Sequence, residues 1–408
     1  MTKTTRNSAP AIEEAFHRHY AAIWGKERWH QSLYPALAEP TRYAALVNGY
    51  ADFEHFWKAI DEAEIPRDEL TELQFPRHRP DSQASSDTDV AKAVTNNSLV
   101  ARGIRCFARA TTENSPSCQA FPPPKAFGSD PAKLLAHWNL DAASALAASL
   151  LDIKPGDAVL DLCAAPGGKS VTLSQNLFPS YHATHSGLDA VELAGDEATG
   201  RLVSNEADGR RQKRLAENLR DYIPPQFLKT GYIKCTNVDG TSASASALAA
   251  GKGGYDKVLV DAPCSSERHI IHAHLKARAT GGSAPEMTNW RPGSSKRLAE
   301  IQTKLLMTAL KAVKLGGSVM YATCSIEGLE NDGVVERMVR EVAKERKKGV
   351  IRWDITVGFG DGLDGKMAQE ALEGWAERTR HGWIVLPDHP RKGKWGPLYF
   401  AMIKKVGA

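Results

Sequence analysis

The sequence of 408 residues is poor in cysteine, has no long hydrophobic run and carries almost no excess of either charge. None of its apolar stretches approaches the about 20 residues that a membrane-spanning helix needs, so no contact with a membrane is expected. Its six cysteines lack the paired spacing of zinc sites, which indicates free thiols in a reducing compartment. With 52 basic and 48 acidic residues, the net charge of +4 requires any basic surface for nucleic acid to be local.

What the chain does have is enough apolar residues, 42% of the total, for a sizeable core and two or three domains. Composition divides it into a helical N-terminal domain at residues 1–75, a Pro/Ser-rich linker at 76–130 and a third domain at 131–408. The linker cannot bury enough apolar surface to offset the entropy of ordering, apart from one short element near Val100 to Ala110. Two cysteines, at positions 106 and 118, fall in it and receive no predicted role.

Helical spacing of aromatic and aliphatic residues predicts the N-terminal domain, with breaks at Pro35 and Pro40. The residues of this pattern are Phe16, Tyr20, Ile23, Trp24, Leu33, Leu37, Tyr43, Leu46, Val47 and Tyr50. They are interpreted as the core of a packing module. Residues 1–10 carry Ser, Thr and two basic residues without an acid, which is typical of a mitochondrial presequence and equally of a flexible start.

Three apolar strands that end in polar turns organise the third domain. Residues 157–170, 258–266 and 319–326 each have the pattern of a buried strand, and the first continues into a helix after Gly167 and Gly168. Glycines at such a turn can take positive φ and leave room for a ligand, although an ordinary strand-to-helix loop is the alternative. In a parallel sheet the carboxyl ends of the strands meet at one crevice. The side chains that this crevice would collect are Lys169, Asp261, Cys264 and Cys324.

The segments 161–169, 261–265 and 321–325, in this order, resemble the motifs of the Nop/Sun family of RNA cytosine-5 methyltransferases, which use S-adenosylmethionine. The resemblance covers about residues 130 to 405, and Arg268-His269 after the second motif is similar to the mitochondrial subgroup. It implies an α/β fold with a Rossmann-like methyltransferase sheet and helices on both faces. The small helical N-terminal domain would precede this sheet.

The resemblance also implies where S-adenosylmethionine binds. Glu206, at the end of the second strand, stands where the family usually has Asp, and its two oxygens would accept from the ribose hydroxyls. Arg211 matches an arginine near the cofactor, with a solvated helix face as the alternative. Asp239 matches an adenine-side acid, with an Asp-Gly turn as the alternative. The complete predicted cofactor site is Cys163, Ala164, Ala165, Pro166, Gly167, Gly168, Lys169, Glu206, Arg211, Asp239, Gly240 and Asp261.

The same resemblance implies covalent catalysis at carbon 5 of a cytosine. That carbon is too electron-poor to attack a methyl sulfonium, so a thiolate first adds to carbon 6 of a base that has left its stack. Spacing does not tell whether Cys264 or Cys324 attacks, but the family's use of the Thr-Cys cysteine assigns attack to Cys324 and release to Cys264. Asp261 would hold ring nitrogen 3 and the amino group, and Lys169 would favour the thiolate. Cys163 is expected to be an inert core residue.

A long polar segment, residues 265–297, follows the second motif and mixes basic residues with Trp290. Loops of this length are usually functional or disordered, and this mixture suits phosphate contacts and base stacking, with a solvated insertion as the alternative. Its histidines at 269, 272 and 274 lack a supporting Cys or carboxylate pattern, so no metal is expected.

The expected function is therefore methylation of RNA, most similar to the mitochondrial ribosomal RNA member of the family. A mitochondrial tRNA methyltransferase is the rival within the class, and a noncatalytic ribosome-assembly factor is the alternative outside it. Mitochondrial relatives work with a helical-repeat protein of the transcription-termination-factor family, so a similar partner is expected. A mitochondrial matrix location follows from the same resemblance, with cytoplasm or nucleolus as alternatives.

Overall fold

The structure of the chain is a computed structural model. It describes residues 9–76, 104–110, 120–128, 133–181, 195–248, 253–359, 363–391 and 393–407. The presequence-like start and Cys118 lie outside these ranges, apart from residues 9 and 10. Among the described residues the α-helices are α1 (Ala9–Trp24), α2 (Lys26–Arg28), α3 (Tyr34–Ala38), α4 (Phe53–Glu62), α5 (Ala142–Leu150), α6 (Gly168–Leu177), α7 (Gly209–Tyr222), α8 (Pro225–Thr230), α9 (Glu267–Ala279), α10 (Pro285–Thr288), α11 (Ser294–Ala312), α12 (Asp332–Lys347) and α13 (Leu363–Leu372).

The strands form two sheets, a large mixed one and a small antiparallel one. They are β1 (Ala44–Val47), β2 (Leu70–Glu72), β3 (Cys106–Arg109), β4 (His137–Leu140), β5 (Ala158–Asp161), β6 (Arg201–Asn205), β7 (Ile233–Thr236), β8 (Tyr255–Asp261), β9 (Val313–Thr323), β10 (Trp353–Val357), β11 (Glu377–Arg378), β12 (Trp383–Val385) and β13 (Leu398–Gly407). In the large sheet β7, β6, β5, β8 and β9 run parallel in that order, and β13 follows antiparallel to β9. Chain order reverses on either side of β5, which makes the carboxyl end of β5 the natural ligand crevice.

Helices cover both faces of this sheet, as the sequence predicts. Side chains of successive residues point to opposite faces of a strand, so Val159 and Leu160 of β5 enter two different cores. The first core holds α5, α6 and α7, and the second holds α11 and α12. Because both faces are covered, β5 is buried along its whole length, which explains its continuous apolar run. The predicted Rossmann-like architecture is confirmed.

The N-terminal helices pack on the second core of this sheet. Phe16, Tyr20 and Trp29 are completely buried, and the ring of Phe16 lies 5.1 Å from that of Trp290. His19 Nε2 lies 2.6 Å from a carboxylate oxygen of Glu327, which directly precedes the turn into α12. A π-helical turn joins α2 to α3. These helices therefore cover the sheet instead of standing apart from it.

The helical prediction is wrong around residues 43–50, where Ala44–Val47 form strand β1 of the small sheet. A run of four apolar residues, Ala44–Val47, fits a strand as well as a helical turn, and all four are buried, so no alternation distinguishes them. The small sheet has the order β2-β3-β1-β4 and thus takes strands from all three predicted segments. Strand β3 confirms the short element near residues 100–110 and buries Cys106, whose pKa burial raises. The domain boundaries stay a prediction.

The loop prediction for residues 265–297 is also wrong, because α9 and α10 occupy much of this segment. Trp290 is buried in the aromatic cluster of the N-terminal helices, which excludes it as a base-stacking platform. Arg268 is buried as well and donates to the carbonyl oxygens of Glu39, Pro40 and Gly396. Along the described residues no helix is both long and apolar enough to cross a membrane.

Candidate active site

The carboxyl ends of β5, β8 and β9 bring the predicted catalytic side chains together. Lys169 Nζ donates to Asp261 Oδ2 at 2.7 Å, and the sulfur atoms of Cys264 and Cys324 are 3.0 Å apart. Asp261 ends β8, and Cys324 directly follows β9. Two cavities meet here, because Asp261, Cys324 and Ser266 line both of them. The site thus has room for two ligands, one in each cavity beside the cysteine pair.

The glycine turn after β5 owes its glycines to packing against protein. A Cβ on Gly168 would come within 2.8 Å of the Trp138 ring nitrogen, and one on Gly167 within 3.2 Å of Leu215. Gly167 also has φ +122, a conformation that residues with side chains rarely adopt. Sequence reasoning assigned these glycines to ligand clearance, but both neighbours in the structure are side chains of the fold. The turn still borders a small cavity of about 180 Å³ through Ala164, Ala165, Pro166, Gly168 and Lys169.

The larger cavity, about 620 Å³, lies over the ends of β5, β6 and β8. Glu206, directly after β6, is 5% exposed and faces this cavity. Its Oε1 accepts from the backbone N–H of Asp208 at 3.0 Å, and its Oε2 makes no hydrogen bond among the described residues and has Arg211 3.4 Å away as an ion-pair partner. A buried carboxylate oxygen without a donor is rare in folded proteins. The hydroxyls of a ribose would supply that donor, so the residues present fit the predicted cofactor.

Three other predicted cofactor residues line the same cavity. Arg211 donates to the carbonyl oxygen of Ala165 at 3.0 Å and lies 3.4 Å from Glu206, so it links the glycine turn to the acid. Asp239 Oδ1 accepts from the N–H and hydroxyl of Thr241, which lowers the pKa of Asp239 and shows that the turn interpretation holds for this oxygen. Burial raises the pKa of Cys163 well above its ordinary value, as expected for an inert thiol.

Gly240, the remaining predicted cofactor residue, also lines the cavity. A Cβ there would lie 2.9 Å from a methyl carbon of Leu305, so packing again requires the glycine.

The two cysteines differ in acidity. The Cys264 sulfur and the Ser266 hydroxyl oxygen each lie 3.0 Å from the Cys324 sulfur, and hydrogen bonds with them lower the pKa of Cys324 against the opposing effect of burial. The hydrogen bond to Cys324, together with burial, raises the pKa of Cys264. Since the thiolate is the nucleophilic form of cysteine, these opposite pKa shifts favour the thiolate at Cys324 over the thiolate at Cys264.

Lys169 lies at the second cavity, about 450 Å³, beside Asp261. Its ammonium group donates to Ser144 Oγ at 3.0 Å and to Asp261. Burial opposes the charge, but Asp261 raises the pKa of Lys169 above its ordinary value, so the ammonium stays charged. The direct hydrogen-bond partners of the Cys324 sulfur are Cys264 and Ser266, whereas the Lys169 cation is paired with Asp261.

Buried polar residues that received no predicted role hold the two cysteine turns in place. Glu267 is fully buried and accepts from the N–H of Ile326 at 2.9 Å and the hydroxyl of Tyr20 at 3.0 Å. Asn331 accepts from Thr323 at 2.6 Å and donates to the carbonyl of Ser325 at 2.9 Å, so it braces both sides of Cys324. The sequence signal was weak, because these residues only follow the motif turns.

Glu330 performs the same task for the other turn. It accepts from the Ser265 N–H at 3.0 Å and from Gln302 Nε2 at 2.8 Å, and burial raises its pKa to about 7. Over the part of the chain that the structure describes, no group of His, Cys, Asp and Glu side chains could hold a metal ion.

Comparison with known proteins finds RNA methyltransferases, which agrees with the geometry of the site. A family model described as 16S rRNA methyltransferase RsmB/F matches residues 190–360. The 5-cytosine rRNA methyltransferase NSUN4 of Bos taurus is 30% identical over 308 residues, which are 75% of this chain and 68% of the relative. The mitochondrial tRNA (cytosine(34)-C(5))-methyltransferase of Danio rerio is 27% identical over 409 residues, 100% of this chain and 90% of the relative.

Solved structures agree at the level of the fold. NSun6 from Pyrococcus horikoshii is 17% identical and superposes with a TM-score of 0.55, covering 96% of this chain and 98% of its own. The architecture of this chain agrees with this match. The chain therefore belongs to the Nop/Sun family of S-adenosylmethionine-dependent RNA cytosine-5 methyltransferases.

Proposed function

We propose that this enzyme methylates carbon 5 of a cytosine in the RNA of the small mitochondrial ribosomal subunit, through a covalent adduct on Cys324. The observation that carries the mechanism is the cysteine pair, whose sulfur atoms lie 3.0 Å apart where the two cavities meet. The 30% identity to NSUN4 supports the ribosomal substrate, and the mitochondrial names of the tRNA-methylating relatives support a mitochondrial location, which we propose to be the matrix. A mitochondrial tRNA is the second candidate, because the match to the tRNA enzyme extends over the whole chain.

The larger cavity would hold S-adenosylmethionine, which supplies an electrophilic methyl group when bound. Glu206 would accept from the ribose hydroxyls, since one of its oxygens is buried without a donor. Arg211 would keep that carboxylate in place through its contacts with Glu206 and Ala165. Asp239 would border the adenine with the oxygen that does not cap its own turn.

The second cavity would hold the target cytosine after it leaves its stack. There Cys324 adds to carbon 6, which turns carbon 5 into a nucleophile. Asp261 binds ring nitrogen 3 and the amino group, and Lys169 holds this carboxylate in position. Cys264 then assists loss of the carbon 5 proton and departure of Cys324. Because all four side chains are intact at one crevice, a noncatalytic assembly factor is the weaker interpretation.

The two cysteine variants must fail at different steps, because one cannot form the adduct and the other cannot resolve it. We expect Cys264→Ala to accumulate RNA on the protein as a band that survives denaturing electrophoresis. Cys324→Ala should give neither adduct nor product, and Cys235→Ala, which lies away from the crevice, should behave like the unaltered enzyme. Sequencing the RNA released from the Cys264→Ala adduct in cells identifies the substrate.

The outcomes separate the candidates. Small-subunit ribosomal RNA in the adduct supports the proposal, and tRNA replaces it with the second candidate. An adduct in Cys324→Ala alone transfers the attack to Cys264. Methylation without an adduct in either variant would show that the acceptor is not carbon 5 of cytosine.

We also propose that a helical-repeat protein, similar to mitochondrial transcription-termination factors, presents the RNA. The net charge of +4 on 408 residues supports this, because so small an excess gives little sequence-independent attraction to phosphates.

A further inference from the structure

Ser266 lies between the two thiols and has no part in the mechanism above. Its hydroxyl oxygen is 3.0 Å from the sulfur of Cys324 and 3.3 Å from that of Cys264. It lines both the cofactor cavity and the cavity for the base. Ser266 is therefore the hydroxyl in direct contact with both thiols in this crevice, and it faces both ligands.

The backbone at Ser266 directs this hydroxyl. Ser266 precedes α9 as its N-cap, a position where serine ordinarily accepts from the N–H groups of the first helical turn. Here the residue has φ 53 and ψ 60, in the left-handed region, and its side chain makes no capping hydrogen bond. Such a conformation is strained in a residue other than glycine. Ser266 thus makes no capping hydrogen bond and has a strained backbone, and its hydroxyl contacts the two cysteine sulfur atoms instead.

Charges around Cys324 make a donor necessary. Asp261 and Glu267 both face Cys324 and disfavour its thiolate. Lys169 interacts electrostatically with Cys324, but its ammonium group is paired with Asp261 at 2.7 Å, which offsets its charge. Arg268 and His269 line the second cavity, and Arg268 spends its donors on backbone carbonyls. Stabilisation of a thiolate among two carboxylates therefore falls to hydrogen bonds.

We propose that the Ser266 hydroxyl donates a hydrogen bond to the Cys324 thiolate and acts as a catalytic residue by stabilising this nucleophile before attack. This inference rests on the proposed function, in which Cys324 attacks the base. Once Cys324 is bonded to carbon 6, its sulfur is a thioether and a weak acceptor. Ser266 then donates to Cys264 at 3.3 Å and supports the second step. The proton stays on the serine oxygen throughout.

The test measures thiol acidity directly. Alkylation of Cys324 by iodoacetamide is followed by peptide mass spectrometry between pH 5 and pH 10 in the unaltered chain, Ser266→Ala and Ser266→Gly. Both variants lack the hydroxyl, and glycine accepts the left-handed backbone, so it keeps the turn where alanine strains it. We expect the alkylation midpoint of Cys324 to rise by about one pH unit in both, with about tenfold slower alkylation near pH 7. The exposed Ser283→Ala serves as the control and should change nothing.

Methylation rates provide the second readout. In both Ser266 variants kcat/KM should fall about tenfold near pH 7 and recover at higher pH, where the thiolate forms without help. An equal loss at every pH, or an unchanged alkylation midpoint, would overturn the role of Ser266. A failure of the proposed function would give a different result. It would appear in the adduct assay of the cysteine variants, and that assay does not depend on the alkylation profile of Ser266→Ala.

Discussion

Glu206 is the residue whose surroundings in the structure point most directly to a ligand. It is buried and lines the cavity, one oxygen accepts from the N–H of Asp208, and the other lies 3.4 Å from Arg211 without a hydrogen bond. A carboxylate held this way is prepared to accept from two adjacent hydroxyls.

Replacing this acceptor should weaken cofactor binding. We expect Glu206→Ala to reduce the affinity for S-adenosylmethionine by about 1 to 3 kcal/mol, because two buried hydroxyls lose their partner. Isothermal calorimetry on the purified chain measures this. Glu217→Ala, an exposed position on α7, removes the same charge away from the cavity and should leave binding unchanged. Equal affinity in the Glu206 variant would remove this residue from the site.

Residues of the site were predictable where they follow strands. The sequence identified Lys169, Asp261, Cys264 and Cys324 because each ends or closely follows an apolar run, and the topology of a parallel sheet brings the carboxyl ends of its strands together. It did not identify residues whose function depends on distant partners. Ser266 is an ordinary cap residue in sequence, and only the left-handed backbone shows where its hydroxyl points.

At the scale of elements, Glu330 connects the turn after β8 with α11 and α12. Its carboxyl pKa is about 7, raised from 4.5 by burial, so between pH 4.5 and 7 the folded protein keeps a proton that the unfolded chain has lost. The contribution of Glu330 to the free energy of unfolding is therefore fully present below pH 4.5. It falls by on the order of 3 kcal/mol as the pH rises to 7.

Glu330→Gln should remove this pH dependence, since an amide does not titrate and its oxygen can still accept from Ser265 and Gln302. We expect the variant to gain stability relative to the unaltered protein as the pH rises from 4.5 to 8, as measured by urea denaturation at each pH. Glu300→Gln on the exposed side of α11 is the matched control. Parallel curves for the unaltered protein and Glu330→Gln would contradict the raised pKa.

Elements were predictable where burial produces a clear pattern. The buried strand β5 and the helix α11 follow directly from continuous and periodic apolar runs. Strand β1 was missed because its partners, β3 and β4, lie far along the chain, and short apolar runs do not distinguish strand from helix. Helix α9 was missed because its polar residues spend their hydrogen bonds on distant carbonyls, as His272 does with Leu37 and Glu39.

At the scale of the whole molecule, the nearly balanced charge decides how RNA reaches the crevice. The purified chain alone should methylate protein-free RNA poorly at physiological salt, because few cations are available to release counterions from phosphates. A helical-repeat partner or a prefolded small-subunit particle should raise the rate on the order of tenfold to a hundredfold by tethering. Methyl transfer from labelled S-adenosylmethionine measures this, with Cys324→Ala as the background.

Low salt provides the internal control for this prediction. If electrostatic attraction is the missing contribution, lower ionic strength should recover part of the rate on free RNA. Efficient methylation of free RNA at physiological salt by the chain alone would count against a presenting partner.

The packing of α1 against the second core also determines when α1 can be buried during synthesis of the chain. His19 is bonded to Glu327, 308 residues further along, and Tyr20 to Glu267. At about 5 to 20 residues per second, the ribosome needs tens of seconds to make that stretch. Through this interval the face of α1 with Phe16 and Tyr20 has only nearby residues such as Trp29 to cover it. The burial of α1 is thus completed only after the chain has been made as far as Glu327.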